Sequence, residues 1–190
     1  MQVALARVLV QKNKSEEAHA LLIEALTAAP SLAVGETVRL ALAMTEETLG
    51  NSDNALRLYE EILSTNPDSI VAANNLAVLV ADHHGDTPER LTRALAHVKR
   101  FSTANNAFQL DTLAWIYYRL GQFKNAHDLL QRANAASHPN AAVRFHYGAV
   151  LLALGRIDDG RRLIEKAAQE GGFSRAGRSQ AAACRNTVND

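Results

Sequence analysis

Five times along this chain a pair of small residues recurs, each member with a large apolar neighbour. The pairs are Ala6 and Ala18, Ala43 and Ala55, Ala77 and Ala94, Ala114 and Ala126, and Gly148 and Gly160. Their members stand twelve positions apart except in the third pair, where about five extra residues intervene around Gly85-Asp86-Thr87-Pro88. Successive second members are separated by 37, 39, 32 and 34 residues. Self-similarity at such a period means stacked helix pairs. Two antiparallel helices approach to about 8 Å only where the crossing residues are small, so each pair marks a crossing. Large residues flank it: Leu5, Leu42, Leu76, Leu113 and Tyr147 precede the first small residue, and Leu22, Tyr59, Val98, Leu130 and Ile164 follow the second by four. A third column, Ala25, Ile62, Phe101, Ala133 and Ala167, falls seven residues after the second small position, on the same helical face.

The clearest unit runs from about Ala107 to Pro139. Its Leu110, Leu113, Ala114, Tyr117, Gly121, Ala126, Leu130 and Ala133 stand at the signature spacings of the tetratricopeptide repeat (TPR) family, which the chain therefore resembles; Pro139 sits one place later than the family's helix-stopping proline. A second unit matches through Leu42, Ala43, Gly50, Ala55, Tyr59, Ile62 and Pro67, but Glu46 replaces the expected aromatic or apolar residue. In the first, Ala18, Leu22, Ala25 and Pro30 fit, while its opening residues would precede Met1, so the chain is expected to begin inside a repeat. The resemblance covers roughly residues 1 to 170. It implies an all-α fold: a right-handed α-solenoid of about five helix-turn-helix units, near 1–35, 36–69, 70–106, 107–140 and 141–172, then a capping helix over 173–185 and a frayed tail, 186–190. The phrasing Asn-Asn-Leu-Ala, Leu-Asp-Thr-Leu-Ala-Trp-Ile-Tyr-Tyr-Arg-Leu-Gly and Val-Arg-Phe-His-Tyr-Gly-Ala is similar to the C-terminal repeats of long bacterial TPR proteins, among them members associated with exopolysaccharide export and exosortase systems.

Helix starts are expected at Ser15, Ser52, Asp68 or Ser69, Thr87 with Pro88 in the first turn, and Asp158, because short polar side chains satisfy free amides there. Turns inside the pairs fall at Asn13-Lys14, Gly50-Asn51, His83 to Asp86, Gly121-Gln122 and Gly155-Arg156. Segments between units lie at Pro30-Ser31, Asn66-Pro67, Thr103 to Asn106 and Ser137 to Asn140, and Gly171-Gly172 is a stop.

Charge argues against nucleic acid, since Lys+Arg and Asp+Glu both number 20. It is distributed unevenly: residues 1 to 95 carry 7 basic and 13 acidic side chains, or minus 6, and residues 96 to 190 carry 13 and 7, or plus 6. Such polarity suits either two solvated faces or a salt-sensitive head-to-tail self-association. A single cysteine, Cys184, excludes an internal disulfide and a cysteine metal cluster. No apolar run approaches the roughly 18 residues of a membrane span and the N-terminus has no signal-peptide pattern, which leaves cytoplasm or periplasm open for a fragment of a longer protein.

Chemistry is sparse. His83, His84 and Asp86 offer three metal ligands but no fourth is spaced to close a site; Asp158-Asp159 reads as first-turn charge on a helix dipole; no phosphate loop, nucleophile elbow or zinc spacing is present. No cofactor, metal or catalytic residue is expected, and the chain reads as a non-catalytic scaffold for a peptide segment or protein partner, with a structural or self-assembling module of a larger array as the alternative.

The family resemblance implies a concave groove lined by the first helix of each pair. Its lining positions carry over as Asn74, Asn75, Val78 and Asp82 in the third repeat, Phe108, Asp111, Thr112, Trp115, Tyr118 and Arg119 in the fourth, Phe145 and His146 in the fifth, and Leu40, Met44, Glu47 and Thr48 in the second. Asn75 occupies the place where relatives carry an amide that holds a peptide backbone. Trp115 and Tyr118 supply aromatic area for binding. The competing reading packs Trp115 into the neighbouring repeat and makes His146 a satisfied interface histidine. The paired Lys and Asn by which some relatives clamp a chaperone's C-terminal carboxylate are not evident.

Overall fold

The computed structural model describes residues 1–29, 31–83 and 87–170. Pro30, the Gly85-Asp86 insertion, His84, the Gly171-Gly172 stop, the expected capping helix with Cys184 and the expected frayed tail lie outside the described residues. Ten α-helices occur among those described, and no strand: α1 (Gln2–Gln11), α2 (Ser15–Thr27), α3 (Leu32–Leu49), α4 (Ser52–Thr65), α5 (Ile70–His83), α6 (Pro88–Val98), α7 (Ala107–Arg119), α8 (Phe123–Arg132), α9 (Ala141–Ala153) and α10 (Ile157–Glu170). Short 3₁₀ helices cover Lys99–Thr103 and Ala135–Ser137. No described helix is long and apolar enough to cross a membrane. The chain forms two compact units, Met1–Leu79 and Val80–Asp190, so that the division falls within α5.

Each expected crossing residue is buried. Ala18, Ala43, Ala55, Ala77, Ala94, Ala114 and Ala126 have no exposed surface and Ala6 has 1%. The last pair is tightest: a Cβ on Gly148 would lie 2.7 Å from Ile164 Cγ1 and 2.9 Å from the Gly160 carbonyl oxygen, and one on Gly160 would lie 2.8 Å from the Gly148 oxygen. No alanine fits without moving α9 from α10. The third column is buried too, but Phe101 reaches it from a 3₁₀ helix, and Ala133 from the residue that ends α8.

The turns within pairs repeat one geometry. Asn13, Gly50, Gly121 and Gly155 each take positive φ, at 59°, 85°, 73° and 78°. Around Gly50, the Asn51 amide donates to the Glu46 carbonyl at 2.9 Å and the Gly50 amide to Glu47 at 3.1 Å; the Gln122 and Gly121 amides do the same to Tyr117 and Tyr118. This is the left-handed cap that satisfies the last free carbonyls of a helix.

Capping departs from the sequence expectation. Side-chain caps occur at Ser31, Asn106 and Asn140, which open first helices of pairs, whereas α2, α4 and α6 start at or beside the expected residues without one. The backbone explains most of this. Ser31, Asn106 and Asn140 are extended, with ψ of 161°, 119° and 122°, which aims the side chain at the following amides. Lys14, Asn51 and Gln122 leave the left-handed turn with ψ of 51°, 62° and 59°, outside the extended region, and make no side-chain cap; Lys14 has no acceptor to offer.

Candidate functional site: the first-helix faces

In the second unit, six of the expected groove residues gather into one network. Trp115 on α7 is 3% exposed. Its Nε1 donates to Asp82 Oδ1 at 3.1 Å. Its indole stacks on Tyr118 at 4.7 Å, nearly parallel, and on the His146 imidazole at 4.1 Å; Phe145 meets it edge-on at 6.2 Å. His146 Nδ1 lies 3.0 Å from both carboxylate oxygens of Asp111. Burial works against charge on this imidazole, but the Asp111 carboxylate, its hydrogen bond and the charge of Asp82 outweigh it and hold the His146 pKa above its ordinary value. Protonated, the ring is a cation on an indole face, a favourable arrangement in a partly desolvated place.

The expectation that Trp115 offers its surface to a ligand is therefore corrected. Asp111, Thr112, Trp115 and Phe145 are all buried, at 7%, 4%, 3% and 1% exposure, because α5, α7 and α9 place carboxylate, indole and imidazole in reach of one another and the indole N–H needs a buried partner. Asp82, Tyr118, Arg119 and His146 remain half-buried. Phe108 stands apart, half exposed and edge-on to His138 at 5.3 Å.

In the first unit, Asn74, Asn75 and Val78 are half-buried on α5. Asn75 Nδ2 donates to the Tyr59 hydroxyl at 3.3 Å, and that hydroxyl donates to the Glu47 carboxylate. Burial, then the neighbouring Glu47 charge, raise the Tyr59 pKa, so the phenol stays protonated. One donor of the Asn75 amide is thus already engaged within the fold.

Other features escaped the sequence reading. Glu46, 5% exposed, accepts from Asn51 Nδ2 at 2.7 Å and Asn54 Nδ2 at 3.4 Å and lies 3.2 Å from His19 Nε2. At the place where the family puts an apolar residue, a carboxylate ties α2, α3 and α4 together. Buried Arg144 pairs with Glu170 and donates to the His138 carbonyl, leaving its Nε without a hydrogen-bond partner. Finally, an open cleft of about 240 Å³ lies among α1, α2 and α3, lined by Ala6, Val10, Leu22, Ala41 and Met44, with Arg7, Gln11, Thr45 and Thr48 around them. Met44 and Thr48 were expected groove positions, and the same offsets counted from Ala6 give Arg7, Val10 and Gln11 of the lining. Among the described residues no group of three or more His, Cys, Asp or Glu side chains is placed to hold a metal ion.

Comparison with known proteins agrees with this architecture. A family model described as tetratricopeptide repeat matches residues 36–79, and one described as anaphase-promoting complex, cyclosome, subunit 3 matches residues 89–167. No curated protein matches. Among solved structures, a thermophilic TPR protein of Thermus thermophilus is 20% identical with a TM-score of 0.68, over 96% of each chain. MamA (41-end) of Desulfovibrio magneticus RS-1 is 13% identical at 0.66, covering 88% of this chain and 92% of its own. BtubC (BKLC) of P. vanneervenii is 21% identical at 0.62, covering 96% and 78%.

Proposed function

We propose that the chain is a non-catalytic interaction module that binds a segment of a protein partner on the exposed faces of the first helices of its first unit. TPR arrays of this fold generally mediate protein–protein contacts, and the likeness to such proteins supports that class here. The observation that carries the reading is the open cleft between α1 and α3, lined in part by register positions that face a groove in relatives and carrying Met44 at 47% exposure. In the second unit the network around Trp115 serves as rigid support for the first helices there, with Tyr118 and Arg119 at its surface. The phrase-level similarity to bacterial export arrays makes proteins of such assemblies the first partners to try. A photo-crosslinking residue at Met44 of the full chain should capture a partner that the same residue at exposed Glu60 does not, and with the crosslinking residue moved to Gln11, Met44→Arg should abolish capture. Equal capture at both positions would sink the reading.

A second reading, self-association, is favoured by one observation. Leu5 and Val8 are exposed on one side of α1, at 52% and 44%, whereas the counterparts of Leu5 at Leu42, Leu76, Leu113 and Tyr147 are at most 7% exposed. Sedimentation should then give a mass above the monomer that Leu5→Glu abolishes, and that falls between about 0.05 and 0.5 M salt if opposite charges guide the contact. A monomer under all conditions rejects it.

A further inference from the structure

Resting on the interaction reading above, we propose that the cleft of the first unit takes one apolar side chain of a peptide whose adjacent residue is acidic, Arg7 receiving the carboxylate. At about 240 Å³ the cleft is smaller than the roughly 300–1,000 Å³ of small-molecule and cofactor sites, which suits a side chain. Its floor is wholly apolar, from Ala6, Val10, Leu22, Ala41 and Met44. Arg7 is the one charged residue of the lining, no acidic residue joins it there, and it makes no ion pair among the described residues. The remaining polar groups select further. Thr45 and Thr48 spend their hydroxyl protons on the Ala41 and Met44 carbonyls at 2.9 and 3.0 Å, so they turn only acceptor capacity outward. Gln11 holds both donor and acceptor and suits a peptide group. The guanidinium matches a carboxylate in charge and in its planar, two-donor geometry. In the second unit the corresponding register position holds Trp115, which is buried and stacked on His146.

The chain carries two methionines, so Met44 can be followed directly with Met1 as the control. Full-length protein with labelled methionine and alanine methyl groups is titrated to about 5 mM, which detects a Kd near 1 mM, with acetyl-Gly-Ser-Leu-Glu-Gly-Ser-amide and with its Leu-to-Ser and Glu-to-Lys forms. The first peptide should shift the Met44, Ala6 and Ala41 methyls, and the other two should bind at least about fivefold more weakly. In Arg7→Glu, an exposed substitution, the Glu and Lys preference should invert. Shifts confined to Ala114 and its surroundings, with Met44 silent, would overturn the cleft as the docking point for this peptide. No shift with any peptide, or an unchanged preference in Arg7→Glu, overturns this proposal alone, because partner capture at Met44 decides the other.

Discussion

Single atoms decide how closely these helices pack. At Gly148 a methyl group would meet Ile164 and the Gly160 backbone inside van der Waals distance, and backbone yields less readily than a flexible side chain. Gly148→Ala and Gly160→Ala should each destabilise by about 1–3 kcal/mol through overpacking. Gly35→Ala is the control: its nearest neighbour would be Ala29 Cβ at 3.8 Å, so the gain in helix propensity should stabilise by about 0.5–1 kcal/mol. Urea midpoints of the three variants check both signs. Glu46 is the polar counterpart. Replacing it with Ala removes the acceptor that Asn51 and Asn54 share and should cost about 0.5–1.5 kcal/mol, and Glu46→Leu, which places an apolar residue there, should also lose stability. A Glu46→Leu protein as stable as the parent would mean that the carboxylate network contributes nothing.

At the scale of elements, His146 links α9 to α7 through Asp111. Its folded pKa lies above the unfolded value of about 6.5, so the stabilisation is fully present below about pH 6.5 and is lost as pH rises through the folded value. The urea midpoint of the parent should fall on going from pH 6 to pH 9, and that of His146→Gln should stay flatter over the same range. A parallel decline in both would remove His146 as the cause. The spacing of small residues made the helix pairs legible because a crossing imposes a local, periodic demand. The Trp115 network was not legible as a closed unit: Asp82 lies 33 residues before Trp115 in the chain, and offsets within one helix give the direction of a Cβ but not what a neighbouring helix sends to meet it. The caps were misplaced for a related reason. Ser15 and Ser52 have the right chemistry, but the left-handed turns before them set a backbone path that side-chain identity does not reveal.

Across the whole molecule, burial is uneven. Of the thirteen residues in α9, nine are buried, including Arg144, while α1 buries only Ala6. In a repeat protein stability is held locally by neighbouring helices, so opening free energies should follow this contrast. Native-state hydrogen exchange should find the amides of α1 the least protected of the first helices and the interior of α9 among the most. Uniform protection along the chain would show a cooperativity that this distribution of buried surface does not suggest. The open cleft has α1 as one wall, so a peptide seated there should raise the protection of α1 in particular.

The chain has one tryptophan, and it lies face to face with the imidazole at 4.1 Å. A protonated imidazole in contact with an indole drains its excited state, whereas the neutral ring does so much less. The stacked pair thus supplies an intrinsic optical readout. Emission should brighten as His146 gives up its proton, in Asp111→Asn the change should move to lower pH, and any partner that shifts α9 against α7 would announce itself in the colour and yield of Trp115 without an added label.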